Sequence, residues 1–305
     1  MPGSNSATDG LPPFADAGGP SRRQFLAAPL IAGGLAMGGI ASAAAAVAPA
    51  ADDEAGWRTV AAQYDLPEGI IQLENGNWGA MARPVLAAYQ QKLAMVNRET
   101  SFYSRRRFLP DMLAIRARVA ADLGVRPDEI AFTRGATEAL HALIGGYNRL
   151  RPGDQLLYAD LDYDSMQTAF RAVARRRGLE ALAITLPEPA TWQGLIDTYE
   201  QALAAHPRVR LMLLTHVSHR TGLVVPVREI VAMARARDVD VIVDSAHTWG
   251  QLDFRLGDLG ADFVGLTAQK WIGAPLGVGV LHIRHSRLDA VDRSLGDDPD
   301  GADAI

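Results

Sequence analysis

Cysteine is absent from this 305-residue chain. Disulfides, thiolate metal sites and a cysteine nucleophile are therefore excluded within it, although the absence alone assigns no compartment. A basic stripe is also lacking. With a formal net charge of -5 and arginines scattered among acids, the chain offers nucleic acid no electrostatic footprint beyond a local SRRRF cluster at 104 to 108. No nucleic-acid partner is expected. Lysine is nearly missing as well: of thirty basic residues only Lys92 and Lys270 are lysines. Where arginine carries almost all the positive charge, a lysine stands out, because only the amine can lose its proton and become a nucleophile.

Lys270 sits in the apolar, glycine-rich stretch GLTAQKWIGAPLG, and twenty-six residues before it the run VDVIVDSAH carries Asp244. A lysine able to form a Schiff base, with an aspartate to keep a pyridine nitrogen protonated, is the pair that pyridoxal phosphate requires. Taken singly, Lys270 is equally a loop lysine and Asp244 a strand-end cap. Their neighbours bear on the choice.

The N-terminal region holds Ser21-Arg22-Arg23-Gln24-Phe25-Leu26, then the apolar FLAAPLIAGGLAM and the small-residue run ASAAAAVAPA. This twin-arginine pattern predicts a Tat signal over 1–50, cut between Ala43 and Ala50, with export to the bacterial periplasm or beyond. Alanine and glycine dominate the apolar segment, which is weak for a spanning helix of ~20 apolar residues, so no stable membrane span is expected after cleavage. Residues 51–80 read as an N-terminal arm and 81–305 as a cofactor-binding large domain. From about 129, short apolar runs alternate with amphipathic stretches. Strands are predicted at 129–133, 155–158, 181–185, 209–216, 239–243, 262–267 and 278–283, with helices at 137–149, 165–177, 192–205 and 227–237. This pattern predicts an α/β fold, a mostly parallel sheet with helices on both faces and ligands at the carboxyl ends of its strands.

The residues after the strands carry the chemistry. Gly135, Ala136 and Thr137 open a helix and suit an anion such as a phosphate, while Thr137 also suits an N-cap. Tyr163, in the run Asp160-Leu161-Asp162-Tyr163-Asp164-Ser165, can stack on a flat heterocycle or pack at a helix entry. His216 and His219 follow the fourth strand, and His247 lies three residues beyond Asp244, where it can donate to a phenolate on the same ring. The same side chains offer a rival: His216, His219, Asp244 and His247 as nitrogen and oxygen ligands of a metal-dependent hydrolase. That rival gives no role to Lys270, Tyr163 or the Gly-Ala-Thr helix start. A third possibility is a non-catalytic protein on the same fold.

From Asn75-Gly76-Asn77-Trp78-Gly79 to Ile283, and most strongly over THVSHRTGLVVPVREI and VDSAHTWGQLDFRLGDLGADFVGLTAQKWIGAPLGVGVL, the chain resembles the class V aminotransferase family of fold-type I pyridoxal phosphate enzymes, in its isopenicillin N epimerase-like branch. The resemblance implies pyridoxal 5′-phosphate as cofactor, with Lys270 as the Schiff-base lysine and Asp244 on the ring nitrogen. It places His247 on the ring hydroxyl, Tyr163 stacked on the ring, Gly135, Ala136 and Thr137 around the phosphate, and Thr267 reaching the phosphate too. His219 and Gln269 stand beside the ring. They depart from the asparagine and histidine found at those places in other members, which removes support for desulfurase chemistry. The implied reaction is at the alpha carbon of an amino acid or related amine, of epimerase or aminotransferase/lyase type. Asn77, Trp78 and the Arg105 to Arg107 cluster are candidates for the substrate entrance, and a homodimer is expected at full length. Members of the family continue for roughly another hundred residues as a small domain. This chain ends in the polar SLGDDPDGADAI, which reads as a C-terminally truncated large domain.

Overall fold

A computed structural model of the chain describes residues 48–293. The twin-arginine segment, its apolar stretch and the polar tail from Ser294 lie outside the described residues. Among the described residues no helix is long and apolar enough to cross a membrane.

Seven strands form one sheet: β1 (Ile130–Thr133), β2 (Gln155–Ala159), β3 (Glu180–Ile184), β4 (Val209–Thr215), β5 (Asp240–Ser245), β6 (Phe263–Thr267) and β7 (Gly279–Ile283), in the order β1-β7-β6-β5-β4-β2-β3. All seven predicted strands are present, with ends displaced by at most two residues. Every neighbouring pair is parallel except those made by β7, which runs antiparallel to both β1 and β6. The reason is the length of one connection. Only 268–278 separate β6 from β7, and a parallel return needs a crossover of about a dozen residues or more. The chain must double back, and that tight loop carries Lys270.

The described residues also form the α-helices α1 (Glu54–Ala61), α2 (Arg83–Arg106), α3 (Phe108–Leu123), α4 (Ala136–Gly146), α5 (Asp164–Arg177), α6 (Trp192–Ala205) and α7 (Val227–Arg235). The last four are the predicted ones; α4 and α7 end earlier than expected, at Gly146 and Arg235. β4 shows why its sequence is apolar without alternation. Leu211 and Leu213 pack on one side with Leu140 and Phe170 of α4 and α5. Met212 and Leu214 pack on the other with Leu195 of α6 and Ile230 of α7. A strand covered on both faces has no solvent side to leave polar. Gly265 of β6 fixes how closely α4 lies: a Cβ there would come within 2.6 Å of Leu140 Cγ. The missing side chain brings the start of α4 down to the sheet edge.

α2 and α3 were not predicted. α2 buries only Val85 and α3 only Ala120 and Leu123, and other apolar residues of these helices, Leu93, Val96 and Ile115 among them, are exposed.

Candidate active site

Three parallel strand ends set the floor of the site. Register places Thr215 of β4 beside Asp244 of β5, and Asp244 beside Gly265 of β6. Asp244 is 4% exposed. Burial pushes its carboxyl above the usual range, while the Ala246 N–H donating to Oδ1 at 2.9 Å and the charge of Lys270 pull it back down. Lys270 is half-buried, and burial depresses its amine against the opposing pull of Asp244. Its Nζ lies 2.9 Å from Nε2 of His247. Burial, then the charges of Lys270 and His219, holds His247 down to about 4, so at neutral pH the ring is uncharged.

Aromatic rings extend from there as a wall. Tyr163, the N-cap residue of α5, meets His219 edge-to-face at 5.2 Å between centroids. His219 lies 6.4 Å from His247 at a 35° tilt, and His247 lies 6.4 Å from Trp271. Arg220 Nη2 donates to Asp164 Oδ1 at 2.5 Å, tying the loop of His219 to the helix start that carries Tyr163. The Tyr163 ring is 41% exposed. It therefore has a free face rather than a place in the core.

At the start of α4, Gly135 is the N-cap and no side chain caps the helix. Thr137 is the second helical residue, which removes the N-cap role considered for it. The first N–H groups of a helix lack intrahelical partners, and a Cβ built on Gly135 would meet nothing within 4 Å. Open space therefore faces unpaired donors at a positive helix end, the arrangement an anion needs. Thr267 and Gln269 serve the loop instead: the Thr267 hydroxyl donates to Val278 O at 3.1 Å, and Gln269 Oε1 accepts from Gly277 N–H at 2.6 Å. A hydroxyl that donates to a carbonyl keeps its lone pairs but offers an anion no proton.

The N-terminal arm closes over the same loop. Gly79 N–H donates to Gln269 O at 2.9 Å, and a Cβ on Gly76 would stand 2.8 Å from His247 Cε1 and 3.1 Å from Trp271 Cζ2. Asn77 and Trp78, between these glycines, are exposed. They stand beside the Lys270 loop, where the Asn77 N–H donates to Glu74 O at 3.1 Å. Of the arginine cluster, Arg107 is paired with Glu99 and lies over the Tyr103 ring.

The metal alternative is not assembled. Among the described residues no three His, Asp or Glu side chains converge as ligands; His216 packs edge-on to Phe254 at 5.6 Å, with its Nδ1 buried and unpartnered.

Two residues were missed as members of the site. Asp162 is 1% exposed and accepts from Thr215 N–H at 2.9 Å, Thr215 Oγ1–H at 2.6 Å and Ala159 N–H at 2.7 Å. Burial pushes it up to about 7 against those three bonds. It pins the Tyr163 loop to the end of β4, yet nothing in Asp160-Leu161-Asp162-Tyr163-Asp164 marks which acid turns inward. Trp271 is the other: its indole N–H donates to His247 Nδ1 at 3.4 Å.

A family model described as aminotransferase class-V matches residues 81–296. Isopenicillin N epimerase of Amycolatopsis lactamdurans is 32% identical over 252 residues, which are 80% of this chain and 62% of that enzyme. The chain thus spans less than two thirds of that relative's length. Among solved structures, the cysteine desulfurase CsdA of Escherichia coli superposes with a TM-score of 0.66 at 24% identity, over 78% of this chain and 60% of that one. A C-DES variant with glycine covalently linked to its PLP cofactor gives a TM-score of 0.64 at 23% identity, over 72% and 58% of the two chains. These structures share the fold.

Proposed function

This chain belongs to the class V aminotransferase family, and from that premise we propose that it is a pyridoxal 5′-phosphate-dependent enzyme acting at the alpha carbon of an amino acid or related amine, with Lys270 as the residue that carries the cofactor. The observation behind this reading is the convergence of a half-buried lysine, a buried aspartate and an uncapped helix start at one sheet edge. The residues present fit the group. Gly135 leaves open space at a helix start with no side-chain cap, where the first N–H groups, those of Ala136 and Thr137, suit a phosphate, and Asp244 supplies the carboxylate that a protonated ring nitrogen needs.

When bound, pyridoxal phosphate withdraws electrons from the alpha carbon of an attached amine. The chain's own residues do the rest. Asp244, ionised, holds a proton on its partner nitrogen by charge. Lys270, its amine depressed by burial, is the base positioned to take a proton, since depression toward neutrality raises the fraction present as free amine. His247 Nε2 stands on the Lys270 side of the site and Tyr163 offers its exposed face for stacking. Asn77 and Trp78 line the mouth that a substrate crosses. Epimerase or aminotransferase/lyase chemistry are variants of this one arrangement.

A homodimer accompanies this reading. Leu93, Val96, Phe102 and Ile115 are all more than 40% exposed on α2 and α3, and Ile71 and Leu73 on the arm exceed 80%; such a face calls for a cover. Export through the twin-arginine route, which passes folded proteins, suits an enzyme that takes up its cofactor before leaving the cytoplasm.

The test uses the chain's poverty in lysine. Protein given pyridoxal phosphate, reduced with borohydride and mapped by mass spectrometry has two candidate lysines, Lys92 and Lys270. A pyridoxyl group on Lys270, absent in Lys270→Ala, supports the reading. Attachment at Lys92 alone, or none, overturns it.

A further inference from the structure

We propose that Trp271 is a positioning residue for Lys270: by donating its indole N–H to Nδ1 of His247, it fixes that ring as the tautomer with hydrogen on Nε2, so that His247 can only donate toward Lys270 Nζ. The inference rests on the reading of Lys270 as the reacting lysine and assigns a role to a residue outside that reading.

The geometry is directional because an indole nitrogen can only donate. Trp271 Nε1 lies 3.4 Å from His247 Nδ1, so Nδ1 must be the bare nitrogen. A neutral imidazole bare at Nδ1 carries its hydrogen on Nε2, and Nε2 is the atom 2.9 Å from Lys270 Nζ. Two donors cannot face each other at that distance. Nζ must present a lone pair, which only the uncharged amine has. The opposite arrangement, an ammonium donating to Nε2, needs the hydrogen on Nδ1, where it would meet the indole N–H.

Trp271 itself is held by glycines. A Cβ on Gly76 would stand 3.1 Å from Trp271 Cζ2, and one on Gly250 would stand 2.8 Å from the Trp271 carbonyl carbon. The arm thus lies against the indole ring and the turn after β5 against the Trp271 backbone, so residue 271 is held from both sides. The charged and titratable groups that act on Lys270 and His247 are Asp244, which favours the ammonium, and His219, whose ring faces His247. From the arm, Gly76 lies against the His247 and Trp271 rings and Gly79 against the Lys270 backbone carbonyl. Asp244 therefore pulls Lys270 toward charge, and the Trp271–His247 pair opposes it. In the loaded protein the same tautomer leaves His247 a hydrogen-bond donor through Nε2, ready for an oxygen in place of the amine.

The test begins with the full chain without cofactor. Nitrogen-15 shifts of the His247 ring report the tautomer directly, and hydrogen on Nε2 is expected. Competitive acylation across pH then compares Lys270 with the exposed Lys92 as internal standard. In Trp271→Phe, His247 is expected to populate both tautomers, and Lys270 to become about two- to tenfold less reactive at neutral pH relative to Lys92, the loss of one net hydrogen bond. His247→Gln, whose amide turns to suit either neighbour, is expected to abolish that sensitivity to Trp271→Phe. Hydrogen on Nδ1 in the unsubstituted protein overturns the proposal without any variant. So does a folded Trp271→Phe with unchanged tautomer and unchanged Lys270 reactivity. Neither outcome touches pyridoxyl attachment at Lys270, which tests the cofactor reading separately.

Discussion

Gly79 lies with its Cα directly against the backbone carbonyl of Lys270, and no Cβ fits between them. Its N–H donates to the carbonyl of Gln269, one residue earlier, so the N-terminal arm is fastened to the reacting loop at backbone level. The arm thereby becomes part of the site although it contributes no strand to the sheet.

Gly79→Ala is therefore expected to displace the arm or the loop and to destabilise the protein by about 1–3 kcal/mol, the usual cost of overpacking. Pyridoxyl attachment at Lys270 should weaken in parallel. Gly145→Ala is the control: its Cβ meets nothing within 4 Å in α4, and alanine is the better helix former by about 1 kcal/mol. Denaturant melts of the two variants decide; equal stability would show that the contact yields easily.

How much of this site was legible follows from how each residue acts. Lys270, Asp244 and His247 were readable because parallel strands leave their carboxyl ends open, and these residues fall just beyond apolar runs whose limits the pattern gives to within two positions. The direction of β7 was not, since period and composition carry no sign; it follows from the shortness of the 268–278 loop. Gly79, Asp162 and Trp271 stayed hidden for a different reason. Each works through a partner distant in sequence, as in the bond from Thr215 to Asp162 fifty-three residues away, and no local pattern records such a bond. Thr267 and Gln269 were visible as polar residues near the lysine, but their bonds to Val278 and Gly277 depend on the fold of a loop that sequence does not specify.

Acid should weaken the fold through its buried histidines. Burial depresses His216, His247 and His282 to about 4 from an ordinary 6.5. As pH falls from 6.5 toward 4 the unfolded chain takes up protons the native state refuses, and stability drops. Asp162 opposes this, because its carboxyl is raised to about 7 and its contribution is present at low pH and lost as pH rises through that value. Three histidines outweigh it. His282→Leu isolates one of them: Nδ1 of His282 is buried without a partner, and between pH 7.5 and 4.5 the variant should lose less stability than the parent by on the order of 2 kcal/mol. Parallel pH profiles from denaturant melts would show no reserve of this kind at His282.

The Arg220–Asp164 pair should matter for position and little for stability. Its side chains are 46% and 68% exposed, and pairs of that kind contribute about 0–1 kcal/mol. Arg220→Ala is expected to leave the melting transition nearly unchanged while raising the pyridoxal phosphate concentration needed for half-saturation about two- to fivefold, because Tyr163 and His219 lose the tie between their loops. Titration of the cofactor against both proteins measures this, and an unchanged titration curve removes Arg220 from the site.

Asp244→Asn separates holding the cofactor from using it. The substitution keeps the shape of the side chain and its acceptor for the Ala246 N–H, and it removes a carboxylate that burial already disfavours, so stability should hold or rise. Lys270 should still take up the pyridoxyl group, because attachment needs only the free amine. Proton exchange at the alpha carbon of amino acids in deuterated water is a different matter, since it requires a ring nitrogen kept protonated, and a neutral amide exerts no such pull. The rate is expected to fall by at least ~10²-fold. The variant also tests the balance at the lysine. Asp244 is the charge that favours the ammonium of Lys270, so its loss should make Lys270 more reactive toward acylation at neutral pH relative to Lys92, the opposite of the change expected for Trp271→Phe. A variant that exchanges alpha protons as fast as the parent would mean that the ring nitrogen is held by some other group.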